Sequence, residues 1–152
     1  MEKVTYREFI DRVRFYLADV EEPFLWTDLD ILRALGTVLV DLRNSFIDLA
    51  RLFRLYGIGK VDEFIETVKL YESGELTDED IKEMELVLPY GFTELVLYGV
   101  LGHLYLKDDS EVFVERANYY RGLYEQRKLL LRKDIVRNTN VSVVSRVVRG
   151  LL

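Results

Sequence analysis

Apolar residues recur every three or four positions along most of the chain, a spacing that predicts helices with one buried face. The first helix is predicted from a stripe made of Phe9, Ile10, Val13, Tyr16 and Leu17. Pro23 then interrupts the pattern, because proline cannot continue a helix and disfavours helix in the residue before it. A second, longer stripe runs from Ile31 to Ala50, and its helix is expected to end at Gly57 and Gly59.

The predicted helix starts carry a capping signal. A threonine is followed three residues later by an acidic residue in the pairs Thr5–Glu8, Thr27–Asp30 and Thr77–Asp80. At this spacing each side chain accepts a hydrogen bond from the backbone N–H of the other residue. The acidic groups at residues 28–30, 78–80 and 108–109 are therefore interpreted as helix caps, and the pattern of a calcium-binding loop is absent.

The second half of the chain predicts four more helices. Residues 60–87 fit two short ones, the second carrying Ile81, Met84 and Leu86, and residues 92–105 form a nearly uncharged apolar helix that is the best candidate for the centre of the core. The last long helix is expected to begin at Asp108-Asp109-Ser110. Its inward residues are predicted to be Val112, Phe113, Ala117, Tyr120, Leu123, Tyr124, Leu129 and Leu130.

The helical pattern fails near Asn138, and the last residues have a different character. β-Branched residues dominate the segment after Val141, and helix caps are absent, which predicts an extended or strand-forming tail. The sequence as a whole therefore predicts an all-α fold. We expect a helical domain over residues 1–137, built as a small bundle of five to six helices, and an extended C-terminal tail over residues 138–152.

Composition narrows the class of protein. With 49% hydrophobic and 32% charged residues, the chain is typical of a globular domain that buries a core. No apolar run is long enough to span a membrane, and no signal-peptide core follows Met1. The absence of cysteine excludes disulfides and thiolate chemistry and favours a cytoplasmic setting. Two prolines and many charged residues are also typical of thermophilic proteins.

The net charge is −6, and the charged residues are unevenly distributed along the chain. Residues 126–152 hold seven cations and one carboxylate, a charge of +6, so residues 1–125 carry −12. A helix C-terminus favours cations, which explains Arg132 and Lys133. It does not explain Arg146 and Arg149, which lie far beyond, and the asymmetry therefore indicates electrostatic matching to a partner.

Candidate chemical groups are few. His103 is the only histidine and lies in the apolar helix, so we interpret it as a buried, hydrogen-bonded core residue rather than a metal ligand. Nucleophile elbows, phosphate-binding loops and dinucleotide fingerprints are absent, and Gly57-Ile58-Gly59 lacks the third glycine. The sequence therefore predicts a protein that is not an enzyme and holds no cofactor or metal.

An aromatic and basic cluster on the last helix supports one alternative function. Nucleic-acid-binding proteins combine such groups, and a small regulatory or nucleic-acid-binding module would use Tyr119, Tyr120, Arg121, Arg127, Lys128 and Arg132. Tyrosines at helical spacing, including Tyr124, more often serve packing. The acidity of the body also disfavours a surface that wraps a phosphate backbone.

The tail is the stronger candidate for a binding site. Chain ends are often frayed, but frayed segments are usually polar, and an exposed apolar segment of high β propensity promotes aggregation unless a partner covers it. Strand addition or apolar anchoring to a partner accounts for both composition and charge. The predicted partner-binding residues are Val141, Val143, Val144, Arg146, Val147, Val148, Arg149, Leu151 and Leu152.

Two stretches of the sequence resemble a known family. The run from Tyr6 to Asp19, followed by Leu25-Trp26-Thr27-Asp28-Leu29-Asp30, is similar to the opening of head-to-tail adaptor proteins of tailed bacteriophages. In that family a short helix ends in an aspartate-containing loop and a Trp-(Ser/Thr)-Asp step starts the second helix. Leu88-Pro89, Tyr98 to Leu106 and Glu115 to Arg121 resemble the second helical pair. The likeness covers residues 5–50 and 88–135 and departs from the family at residues 57–87.

The resemblance implies a structural protein of the virion, made in the host cytoplasm and placed at the neck of the capsid. Such connectors form a homo-oligomeric ring, usually dodecameric, beneath the portal protein, and also contact tail or further neck proteins. The ring continues the channel through which DNA passes without specific binding, and the C-terminal tail docks into the portal. No membrane contact is implied, and the isolated chain is compatible with a monomer.

Overall fold

The computed structural model describes residues 2–46, 60–107 and 109–151, with side chains described as far as Arg137. Within these residues the chain forms two short strands, six α-helices and one 3₁₀ turn. In chain order they are β1 (Glu2–Thr5), α1 (Tyr6–Leu17), α2 (Asp28–Ser45), α3 (Val61–Glu72), α4 (Asp78–Lys82), β2 (Glu85–Leu88), α5 (Phe92–Leu104), the 3₁₀ turn (Tyr105–Lys107) and α6 (Glu111–Leu151). The helical prediction is confirmed for the described domain.

The three predicted capping boxes are all present. The side chains of Thr5, Thr27 and Thr77 accept from the backbone N–H three residues on, and the acidic partner accepts from the threonine N–H. At the start of α6, Ser110 Oγ accepts from the N–H of Phe113 at 3.3 Å. These four helix starts therefore lie where local hydrogen bonding places them.

The small sheet was not predicted. β1 and β2 pair antiparallel, with Val4 opposite Leu86, and Val4, Leu86 and Leu88 are buried. The prediction that one helix carries Ile81, Met84 and Leu86 is wrong, because α4 ends at Lys82 and Leu86 lies in β2. The carbonyl of Met84 instead accepts from the N–H of Tyr6 at 2.9 Å and links the sheet to the start of α1.

Helix α5 forms the centre of the core, as predicted. Ten of its thirteen residues are buried, and it contacts α1, α2 and α6. Two glycines allow this close packing. A Cβ at Gly99 would lie 2.9 Å from Cγ1 of Val38, and one at Gly102 would lie 3.2 Å from the backbone nitrogen of Arg121.

The last helix buries only part of the set of residues that was predicted. Ala117 and Tyr124 are buried, and Phe113, Tyr120, Leu131 and Ile135 pack partly buried against the core. The inward placement of three other residues is wrong, since Val112 is 53% exposed, Leu129 54% and Leu130 46%. In a straight helix these three lie on the side away from α5, because the inward residues recur at 113, 117, 120, 124 and 131.

Two predictions concern segments that are only partly described. The second helix ends at Ser45, and its predicted continuation to Gly57 falls at residues 47–59, outside the described residues. The bounds of α6, Glu111–Leu151, differ from the extended tail predicted from residue 138. The side chains of residues 138–152, and with them the packing of the tail, lie outside the described part.

Candidate functional site

Residues 6–19 and 25–30, the first two segments of the resemblance, meet at one buried arginine. Arg14 lies on α1 and is only 5% exposed. Its Nη1 donates to Asp19 Oδ2 at 3.1 Å and to the Trp26 carbonyl at 2.8 Å, and its Nη2 donates to Asp28 Oδ1 at 2.6 Å. A buried guanidinium is stable only when its donors are paired, so these bonds tie the end of α1 to the start of α2.

Asp19 shapes the loop between these helices. Its carboxylate accepts from the N–H groups of Leu25 at 2.9 Å and Trp26 at 3.1 Å. The ring of Phe24 covers the Arg14 guanidinium at 3.7 Å, a cation–π contact. Ala18, at φ 55°, closes α1 in the left-handed conformation. One aspartate and one arginine thus order a loop that otherwise has no regular structure.

Trp26 anchors this loop to the second half of the chain. Its indole is 3% exposed and donates from Nε1 to the Leu104 carbonyl at 3.1 Å. The ring stacks on Phe113 at 5.7 Å and meets Tyr105 edge-on at 5.8 Å. The tryptophan of the Trp-Thr-Asp step therefore joins α2 to the junction between α5 and α6.

Two carboxylates in this half of the molecule have lowered pKa values. Burial raises the pKa of Asp28, but hydrogen bonds from Arg14 and Lys82 lower it by more. Burial likewise raises the pKa of Glu2, and its hydrogen bonds, among them those from the N–H groups of Gly91 and Thr93, lower it by more. In the folded state both groups hold their negative charge to lower pH than in the unfolded chain.

These shifts predict loss of stability in acid. A carboxylate with a lowered folded pKa stabilises the fold above its unfolded pKa, and that contribution is lost as pH falls through the folded value. The ordinary values are 3.8 for Asp and 4.5 for Glu. We expect the free energy of unfolding, measured in urea, to be flat for these groups above about pH 5 and to fall below about pH 4.

A matched pair of variants tests this assignment. Asp28→Asn should flatten the fall in stability, whereas Asp11→Asn, at an exposed position on α1, should leave it unchanged. If the free energy of unfolding fell equally steeply in acid for both variants, Asp28 would not be the cause of that fall.

The predicted basic segment is partly used inside the chain. Arg127 lies 3.7 Å from Glu94, Lys128 lies 3.2 Å from Asp41, and Arg132 donates to the Ser45 carbonyl at 2.9 Å. These cations attach α6 to α2 and α5. The predicted partner-binding residues from Val141 to Leu152 lie where no side chains are described, so their role stays a prediction.

The aromatic cluster on α6 serves packing at two of its three positions. Tyr124 is buried and donates to Asp41 Oδ2 at 2.5 Å, and burial together with that bond raises its pKa, which keeps the donor protonated. Tyr120 stacks on Tyr105 at 5.9 Å. Tyr119 is 63% exposed. Of the residues proposed for nucleic acid, Tyr119 and Arg121 are the exposed ones.

The interpretation of His103 as a buried core residue is wrong, because its side chain is exposed. Its neighbours Gly102 and Leu104 are buried, so the apolar sequence around His103 gave no sign that this one position faces solvent. His103 lines a shallow pocket with Thr37, Asp41 and Arg121. Among the described residues no group of three or more histidines and carboxylates is placed to hold a metal ion.

Sequence reasoning missed Arg14, although a signal was available. Ile10, Arg14 and Leu17 recur at helical spacing on the buried face of α1, where an arginine needs anionic partners. Nearby Asp19 and Asp28 are the candidates for that pairing.

No described helix has the length and apolar content to cross a membrane.

Comparison with known proteins identifies no relative. No family model matches the chain, and neither the curated proteins nor the solved structures include a match.

Proposed function

We propose that this chain is a structural virion protein, a head–tail adaptor that forms a ring under the portal and joins capsid to tail. The observation that carries the proposal is the hydrogen-bonded cluster of Arg14, Asp19, Trp26 and Asp28. Asp19 and the Trp26-Thr27-Asp28 step, on which the resemblance rests, are joined by direct hydrogen bonds around one buried side chain. These resembling residues thus form a structural unit. A coincidental sequence similarity would not require them to contact one another.

The tail is proposed to dock into the portal. Seven of its last twelve residues are valine or leucine, and Arg146 and Arg149 are its only charged side chains. Apolar residues with cations at the rim suit insertion between subunits of a partner. Docking would also cover a segment that is an aggregation hazard when exposed.

The charge of the body supports a role around a DNA channel. Residues 1–125 carry −12, and a wall of the same sign as DNA does not retain passing phosphates. The same charge disfavours the alternative of a nucleic-acid-binding module, as do the ion pairs that engage Arg127 and Lys128.

Deleting residues 139–152 tests the proposal. The shortened chain should keep its helical circular dichroism and its cooperative unfolding, because every side chain that packs in the described core precedes residue 139. It should no longer join portal-bearing capsids to tails, scored as infectious particles in an in vitro joining assay.

A second variant separates the apolar residues of the tail from its charge. Replacing Arg146 and Arg149 with glutamine retains the seven apolar residues, so joining should weaken and become less sensitive to salt without being abolished. Normal joining by the chain that lacks residues 139–152 would show that the tail is not needed to join capsid and tail.

A further inference from the structure

The loop after α1 and the start of α6 meet at one end of the domain, which we call the loop end. Trp26 in the loop stacks on Phe113 of α6 at 5.7 Å, and the ammonium of Lys107 donates to the carbonyl of Leu25. At least half of the surface of four apolar residues is exposed here. They are Val20, Leu25, Leu106 and Val112.

The loop end is acidic as well as apolar. Lys107, the only cation in residues 18–27 and 105–113, already lies 4.0 Å from Asp30. Four exposed carboxylates of the same two segments make no ion pair within the described part of the chain, and they belong to Glu21, Glu22, Asp109 and Glu111. The loop end therefore offers uncompensated negative charge beside exposed apolar side chains.

The C-terminal tail has the complementary composition. Residues 141–152 hold seven valines and leucines, two arginines and no aspartate or glutamate. Contact between the tail and the loop end would bury the apolar residues of both and bring Arg146 and Arg149 to unpaired carboxylates. Complementary charge of this kind favours association and fixes its orientation.

The tail and the loop end lie at opposite ends of α6. Phe113 at the start of the helix contacts Trp26, whereas Arg132 donates to the carbonyl of Ser45, the last residue of α2. A helix rises about 28 Å between Phe113 and Arg132, and the tail comes later still. This separation favours a loop end that belongs to another copy of the chain.

We propose that the tail of one copy, residues 141–152, binds the loop end of a second copy while the chain is free in solution. The contact covers an apolar segment that otherwise promotes aggregation. It goes beyond the adaptor function, and only the later transfer of the tail to the portal rests on that function. Because the two surfaces differ, each copy uses one of each, and repetition gives a ring or an open chain.

Sedimentation velocity of the full-length chain over a range of concentrations tests the contact by charge exchange. The unmodified chain should associate as its concentration rises. The loop-end variant Glu21→Lys/Glu22→Lys and the tail variant Arg146→Glu/Arg149→Glu should each weaken association by at least about tenfold, because like charges then face each other. A chain with all four substitutions exchanges the two signs and should associate like the unmodified chain.

The matched control for charge is Glu63→Lys/Glu85→Lys. Both glutamates are exposed and line a hollow beside the sheet, and Glu85 pairs with Thr5 at the opposite end of α1 from the loop. The control changes the net charge as much as the loop-end variant does and should leave association unchanged.

A second pair of variants tests the apolar part of the contact. Val20→Gln/Leu106→Gln should weaken association, whereas Leu70→Gln, at an exposed position on α3, should not. Circular dichroism and urea unfolding identify any variant that fails to fold.

Three results would overturn the proposal. The first is a chain that stays monomeric at about 1 mM in low salt, as it would if each tail bound its own loop end. The second is normal association of the loop-end variant, as contact between two tails would give. The third is a chain with all four substitutions that folds and remains monomeric.

Failure of this contact is distinguishable from failure of the adaptor function. Glu21→Lys/Glu22→Lys keeps the whole tail, so it should join portal-bearing capsids to tails normally even though it no longer self-associates. Conversely, if the chain that lacks residues 139–152 were monomeric but still joined capsids to tails, the adaptor role of the tail would fail and the self-association would stand.

Discussion

Replacing Arg14 with glutamine should lower the free energy of unfolding by about 3–5 kcal/mol, the range found when one partner of a buried ion pair is removed. Asp19 and Asp28 would lose the guanidinium that donates to them, and the Trp26 carbonyl would lose its donor. Equilibrium unfolding in urea, followed by helical circular dichroism, measures the change.

Arg12→Gln is the matched control, because Arg12 lies on the same helix and is exposed. Exposed substitutions of this kind usually change stability by less than about 0.5 kcal/mol. Arg14→Lys should fall between the two, since a lysine retains the charge but cannot donate to all three acceptors at these positions. Equal effects for Arg12 and Arg14 would contradict the role of Arg14.

Replacing Trp26 with alanine should also cost about 3–5 kcal/mol. The indole is 3% exposed and fills the space between Tyr105 and Phe113. Its removal therefore leaves a cavity and takes the Nε1 donor away from the Leu104 carbonyl. Trp26→Phe should cost less, because one aromatic ring is kept. It loses the bond from Nε1, worth about 1 kcal/mol, and the volume of the five-membered ring.

Tyr90→Ala provides the aromatic control for this series, since Tyr90 is 75% exposed. It should change the urea midpoint very little. If Trp26→Ala were no worse than Tyr90→Ala, the loop after α1 would not be anchored through the indole.

The helices could be predicted from sequence because the signals that start them are local. Thr5, Thr27 and Thr77 each make their hydrogen bonds within three residues, so a short window contains both partners. The strands escaped prediction because their partners are far apart in the chain. Glu2 pairs with Leu88, and four-residue strands are too short for a clear alternating pattern.

The burial of particular side chains was harder to predict than the helices that carry them. His103 and Leu129 lie in apolar surroundings in the sequence and are exposed, whereas Arg14 is charged and buried. In each case the outcome depends on which side of the helix meets a distant element. That choice is decided by tertiary contacts such as those of Arg14 with Asp28, which the sequence pattern alone does not specify.

The tail shows why one sequence pattern supports two structures. Its valines favour a strand by composition, yet Val141, Val144, Val148 and Leu151 also recur at helical intervals, which is compatible with the bounds of α6. A helix groups the seven apolar residues on one side, whereas a strand divides them between its two faces. The proposed docking of the tail therefore rests on its composition.

The measurement that tests the central claim most directly is electron microscopy of portal-bearing capsids mixed with the full-length chain. We predict added density at a single vertex, arranged as a ring coaxial with the portal, and its absence when residues 139–152 are deleted. Density spread over the capsid surface, or none at the portal vertex with the full-length chain, would contradict the assignment as a head–tail adaptor.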